Sequence, residues 1–368
     1  MFRHTKTLST RRQWWRVATL ITASAMMLGL TVACSGGTAP QPTAAPAKAT
    51  SAPAASSAAP TNAAAPAKVQ HVKLSDQAAE DHPEQKAFRD FAARVKELTN
   101  GAVIVDLFPN SVLGSPRENI EQMQLGQLEF LKISTAALGG FVPQYQVFDL
   151  PYVFQSREHL LSKTDGEVGQ TLSKLLESKL SIKTLGYFDA GARSIFNSKK
   201  PINTAADLKG MKIRVMESPL MIQTFNSMGA LATPMAAGEL YSALQQGVID
   251  GAENSTVFYN SQKFNEVAKY YSYTEHFMTP DIPTVSLKWY NAQPKEIQQA
   301  IDQAGKELIQ NERKYWLEYE KTTADDLKAK GVQFNNADKA SIAKMVEPIY
   351  KDFEGKIGKD LMDKARAK

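Results

Sequence analysis

Between residues 72 and 134 the apolar positions alternate between a period of two and a period near 3.6. Residues 72–74 begin a strand, and a polar loop over 75–81 leads to His82-Pro83. Phe88, Phe91, Ala92, Val95 and Leu98 recur at helical spacing, and Asn100-Gly101 closes that helix. Residues 102–108 form an apolar, β-branched strand that Pro109-Asn110 stops. At Ser115-Pro116-Arg117-Glu118 three helix-start signals coincide: a capping Ser, Pro at the first helical position, and Glu three residues on. A short helix to Gly126 and a strand over 128–134 follow. Strand, helix, strand, helix, strand at this spacing predicts a parallel α/β sheet.

The second half patterns in the same way. Residues 211–215 alternate after the Asp207-Leu208-Lys209-Gly210 turn and read as an internal strand. Residues 239–246 are helical with Tyr241, Leu244 and Val248 inward, and a strand runs from 248 to Glu253-Asn254. From 294 to about 330 there is no proline and a single internal glycine, with Ile297, Ile301, Ala304, Leu308, Tyr315 and Tyr319 on or near one face. About 36 helical residues at about 1.5 Å each span about 54 Å, longer than one small domain is wide. Gly331 ends that helix, and a strand over 332–334 and a terminal helix from Lys339 complete the chain.

Composition changes this picture mainly at the N-terminus. The chain has 368 residues, 43% of them hydrophobic, enough for two domains with real cores. Residues 1–33 carry Arg3, Lys6, Arg11, Arg12 and Arg16, no acidic residue, and then an apolar run from 17 to 33, which reads as a secretory signal. Cys34, the only cysteine, follows directly, and Thr31-Val32-Ala33-Cys34 resembles a lipoprotein cleavage site, departing from it at Thr31, where Leu is usual; a single thiol makes no internal disulfide. Residues 35–68 are Ala, Pro, Ser and Thr with two lysines, a tether that cannot bury enough to fold. The net charge of +5 therefore belongs to the leader and tether, leaving residues 69–368 slightly acidic, and gives no reason to invoke nucleic acid.

Candidate chemistry centres on Arg193 and Arg214, both inside strand patterns. A guanidinium buried in a sheet needs an internal carboxylate or an anionic ligand, and pattern alone leaves both open. In open α/β sheets ligands gather at the carboxyl ends of strands, which points to the loop after Leu74 and to Lys132-Ile133-Ser134-Thr135. Lys132 inside a strand is either an edge lysine facing water or a pocket residue. Among residues 69–368, His71, His82, His159 and His276 have no metal-site spacing, and GxSxG and P-loop motifs are missing, so neither an enzyme nor a metal or cofactor site is expected.

The block from Gly191 to Asn254 resembles the solute-binding proteins of TRAP transporters (tripartite ATP-independent periplasmic transporters), the DctP-like family. It carries Gly191-x-Arg193, Lys212-Ile213-Arg214, Thr233-Pro234-Met235, Glu239-x-Tyr241-x-Ala243-Leu244-Gln245 and Asp250-Gly251-Ala252-Glu253-Asn254. His82-Pro83, Leu113-Gly114 and Phe148-Asp149-Leu150-Pro151-Tyr152 extend the likeness into the first half. The resemblance implies an α/β, two-lobed periplasmic-binding-protein type II-like fold with a long helix bracing both lobes. It divides the chain into lobe I, residues 69–190 plus 280–319, and lobe II, residues 191–279 plus 320–368. It also implies an extracytoplasmic protein, which Cys34 would anchor to a membrane through lipid, whose partners are a small organic acid and the large and small membrane subunits of a transporter; a sensor's ligand-binding partner would share fold and site.

Carried over residue by residue, Arg214 makes the salt bridge to the ligand carboxylate, supported by Arg193 and Asn254. Glu217, Lys132, Asp189, Ser134 and His82 complete the expected site. Acceptors at Glu217, Asp189 and Glu253 favour a sugar acid such as a uronate or aldonate, whereas a C4-dicarboxylate would require positive charge at both ends, with Lys132 as its source.

Overall fold

The computed structural model describes residues 69–367, so the leader, Cys34 and the tether lie outside the described residues. Among the described residues eleven strands form two sheets: β1 (Gln70–Ser75), β2 (Val103–Phe108), β3 (Phe130–Ser134), β4 (Ile182–Thr184), β5 (Arg193–Asn197), β6 (Lys212–Val215), β7 (Leu231–Pro234), β8 (Gly251–Asn254), β9 (Tyr270–Phe277), β10 (Asp281–Ser286) and β11 (Gln333–Asn336). The first sheet has the order β2-β1-β3-β10-β4 and the second β11-β9-β5-β8-β6-β7. Strands β1, β2 and β3 run parallel, as their alternation with helices requires. The expectation of a parallel sheet needs one amendment: β10 lies antiparallel to both β3 and β4. It arrives from the second sheet directly after β9, so it enters the first from the opposite end.

Local signals account for the element ends. Ser115 and Glu118 form a reciprocal capping box at the start of helix Pro116–Leu125, which stops at Gly126 with φ 75°. Helix Leu240–Gln245 closes with Gly247 at positive φ and a Val248 N to Ala243 O hydrogen bond. That closure turns Val248 outward, 50% exposed, and Ile249 takes the expected inward place. The terminal segment is three helices rather than one, Lys339–Val346, Pro348–Ile357 and Lys359–Arg366, divided at Pro348 and Gly358. Their apolar faces share one core with Phe148 and Phe225, from elements beside each sheet.

The long helix is Lys295–Ala329, 35 residues and about 52 Å. Its first half buries Ile301, Ala304 and Leu308 against Phe88 and Phe91 of helix Pro83–Leu98 and against Phe188. Its end places Leu327 in a separate core with Phe196, Tyr259 and Tyr271 around the second sheet. One helix thus packs on both sheets. No helix among the described residues is long and apolar enough to cross a membrane.

Candidate functional site

A cleft with ≈ 730 Å³ of space, part of it open to solvent, lies between the sheets. The first sheet and its connections contribute Gln77, His82, Glu84, Lys132, Ser134 and Asp281. The second contributes Arg193, Arg214, Glu217 and Asn254, while Ala190 and Trp316 close the hinge side.

Arg214 sits on β6 between β7 and β8 and is 3% exposed. Its Nε and Nη2 donate to the Met235 carbonyl at 2.8 and 2.6 Å. Among the described residues no carboxylate lies within ion-pair distance of it. Burial pulls its pKa down to about 10, an effect that Arg193 reinforces and the more distant Glu253, Glu217 and Glu239 oppose. It remains a cation at neutral pH, surrounded by little that favours the charge.

Arg193 is the opposite case. Its Nε donates to Glu253 Oε2 at 2.7 Å and its Nη2 to Oε1 at 2.8 Å, a bidentate pair on neighbouring strands β5 and β8. Burial works against its charge, but Glu253 outweighs burial and raises the pKa. Arg193 Nη1 also donates to Asn254 Oδ1 at 3.1 Å, and Ser255 N donates to the same oxygen at 2.8 Å. The amide of Asn254 is thereby oriented with its NH₂ directed elsewhere. Glu253 is fully buried and outside the cavity lining, so it is the counter-ion of Arg193 and not an acceptor for a ligand. His276 stacks behind this pair, its Nε2 3.7 Å from Glu253 Oε2; burial, then Arg193, holds its pKa down at about 3, so it is neutral.

Lys132 is neither an edge lysine nor a free cation. Strand β3 is central, and the ammonium meets Asp76 at 2.9 Å, Glu84 at 3.0 Å and Asp281 at 3.1 Å. Burial opposes its charge, yet the three carboxylates raise its pKa well above the ordinary value. Its charge is already matched within the chain by these three carboxylates. Burial pushes Glu84 well above the usual carboxylate range.

Asp189 also departs from expectation. It is buried outside the lining, paired to Arg157 Nε at 2.5 Å, and it accepts from Gly191 N at 2.9 Å. Its own N–H donates to Glu312 on the long helix at 3.1 Å. Asp189 therefore shapes the crossing between sheets and does not face the cavity. His82 and Ser134 do face it. His82 caps helix Pro83–Leu98 through Nδ1, burial and then Lys132 keep it neutral, and its Nε2 is buried without a hydrogen-bond partner among the described residues. Ser134 Oγ is likewise buried and unpartnered among them. Glu217 sits at the exposed rim, after the end of β6.

Trp316 is the residue that pattern reading missed. It is 1% exposed, its indole Nε1 has no partner among the described residues, and it stands edge-on to His82 with centroids 5.6 Å apart. Its signal was available, since 304, 308, 312 and 316 continue one helical stripe by fours.

A cation buried without a counter-ion, on the wall of a cleft between two sheets, is the arrangement of a binding protein for small anions. Residues 74–356 match the family model for DctP, bacterial extracellular solute-binding protein, family 7. The chain belongs to that family. A solute-binding protein of Chromohalobacter salexigens is 36% identical over 273 residues, which are 74% of this chain and 81% of that one. The crystal structure of a TRAP periplasmic solute-binding protein from a Sulfitobacter species with bound β-D-galacturonate has a TM-score of 0.78 and 38% identity, covering 81% of this chain and 99% of that one. One from Sulfurospirillum deleyianum with bound succinate has a TM-score of 0.78 and 34% identity, covering 81% of this chain and 98% of that one. Members of the DctP family are extracytoplasmic, bind small organic acids and work with the membrane subunits of TRAP transporters.

Proposed function

We propose that this DctP-family chain captures a sugar acid, with Arg214 as the carboxylate anchor, and delivers it to TRAP membrane subunits without altering it. The observation that carries the reading is the state of Arg214: buried, cationic, lining the cavity, and without a carboxylate of its own. A planar guanidinium so placed recognises a carboxylate through two parallel N–H donors, which fixes orientation as well as charge. Asn254, held in position by Arg193 and Ser255, turns its amide NH₂ to the same ligand. Glu217, Ser134, His82 and Trp316 supply donors and acceptors suited to hydroxyl groups. Galacturonate in the Sulfitobacter relative supports a polyol acid. The succinate bound by the Sulfurospirillum relative keeps a C4-dicarboxylate as the second reading, against which the neutralised Lys132 stands.

Contacts from both lobes, residues 69–190 with 280–319 and residues 191–279 with 320–368, would favour a closed cleft only with ligand present. Cys34 would tie the protein to a membrane through lipid, the tether leaving the folded part free above the surface. Loss of membrane association in Cys34→Ser tests that anchor, and retention would refute it. The ligand is tested by thermal shift of residues 69–368 with uronates, aldonates, C4-dicarboxylates, 2-oxo acids and amino acids. At about a hundred times its dissociation constant a ligand adds about 2.7 kcal/mol, a clear shift. A shift with sugar acids is expected; a shift with amino acids alone would overturn the reading.

A further inference from the structure

Four ionisable groups meet on the first-sheet wall of the cavity: Lys132 from β3, Asp281 from the start of β10, Asp76 from the loop after β1, and Glu84 from the first turn of helix Pro83–Leu98. Lys132, Glu84 and Asp281 line the cavity directly. Three carboxylates around one ammonium leave a net charge of −1 when Glu84 holds a proton and −2 when it does not. Glu84 is fully buried, and burial favours its protonated form. On the opposite wall Arg193 is neutralised by Glu253, and Arg214 has no ion-pair partner among the described residues, with Glu217 at the exposed rim. The interior of the cavity is thus positive at Arg214 and negative at the cage. Beside the cage, His82 Nε2 and Trp316 Nε1, on residues 2% and 1% exposed, line the cavity as N–H groups without a partner among the described residues. Burying unpaired donors is costly, and both are satisfied by hydroxyl oxygens.

We infer that the Asp76–Glu84–Asp281 cage around Lys132 is a charge filter, which admits the hydroxylated end of a monocarboxylic sugar acid and rejects a second carboxylate there. Lys132 orders the three carboxylates; it does not attract the ligand. Glu84 and Asp281, the cage carboxylates that line the cavity, accept from ligand hydroxyls, and His82 and Trp316 donate to them. An aldarate, with carboxylates at both ends, must set one of them against like charge at low dielectric. This inference rests on the proposed sugar-acid reading and narrows it to acids with one carboxylate.

Three ligand pairs differ by oxidation of the terminal carbon to a carboxylate: D-gluconate and D-glucarate, D-erythronate and meso-tartrate, D-galacturonate and galactarate. Titration calorimetry of the wild-type protein should show the monoacid binding at least about tenfold tighter in every pair whose monoacid binds. A smaller preference, or the reverse, overturns the filter while leaving acid capture by Arg214 intact. If none of the six acids binds, the sugar-acid reading and the filter fall together. Asp76→Asn, checked for native circular dichroism, removes one cage charge and should shrink the preference at least about threefold; an unchanged preference in the folded variant would overturn the cage's role. Should that variant fail to fold, the three wild-type pairs still decide the matter.

Discussion

Replacing each cavity arginine by methionine separates the two buried guanidinium groups by their energetics. Arg193→Met leaves Glu253 fully buried, with the neutral His276 at 3.7 Å and Arg214 beyond ion-pair distance. Removing one partner of a buried ion pair costs about 3–5 kcal/mol, because the remaining charge is left uncompensated. At about 2–4 °C per kcal/mol for a protein of this size, the melting temperature should fall by roughly 10 °C. Arg214→Met removes a charge that burial already disfavours, its pKa lying at about 10, which corresponds to a cost of roughly 3 kcal/mol. Against that gain stands the forked contact in which Met235 O accepts from both nitrogens, worth about 1.5–3 kcal/mol when counted as one charged hydrogen bond. The terms nearly cancel, so the unliganded protein should melt within about 3 °C of wild type. Binding behaves the other way: loss of the anchor removes about 2–5 kcal/mol, and the shift with galacturonate should vanish. Differential scanning fluorimetry with and without 10 mM-scale acid (about 10 mM, well above a micromolar constant) reads both quantities. If Arg214→Met melts as low as Arg193→Met, Arg214 is an architectural residue and the anchor assignment fails.

Two further variants test the surroundings of the site. Asp149 is buried and accepts from Ser218 Oγ at 2.8 Å; burial raises its pKa to about 7, against the lowering effects of Ser218, Arg193 and Thr279. Its folded-state pKa is above the unfolded value, so its contribution is complete below about pH 4 and is lost as pH rises through about 7. Asp149→Asn should therefore gain melting temperature relative to wild type as pH rises from about 4 to about 7, and a constant difference across that range would show that Asp149 does not titrate there. Gly191 has φ +67°, and a Cβ there would lie 3.0 Å from Trp316 Cζ2 and 3.2 Å from Ser255 Cβ. Gly191→Ala should cost about 1–2 kcal/mol in stability and displace Trp316, weakening galacturonate binding several-fold by calorimetry; wild-type affinity would show that Trp316 does not touch the ligand.

What the sequence disclosed was local. The first strand-helix alternation, the capping box at Ser115 and Glu118, and the two-lobe reach of the long helix are all written in short-range periodicity and appear as expected. Lys132 was ambiguous because its partners lie at 76, 84 and 281, and only the placement of β10 beside β3 brings the last of them near. Glu253 and Asn254 are adjacent in the chain, and both looked available to a ligand. Their separation into counter-ion and lining residue depends on the register of β8 against β5, where Ile195 faces Glu253 and Ser194 faces Asn254. Asp189 was misplaced for a similar reason: its partner, Arg157, comes from a helix that the apolar pattern does not place against the crossing.

The most direct measurement is a crystal structure of the protein soaked in D-galacturonate. The ligand carboxylate should lie within hydrogen-bonding distance of the Arg214 guanidinium, with Arg193 still paired to Glu253 and the sugar hydroxyls turned toward the cage around Lys132. A carboxylate seated on Lys132 instead, with Arg214 bonded only to the Met235 carbonyl, would contradict the assignment of Arg214 as the anchor.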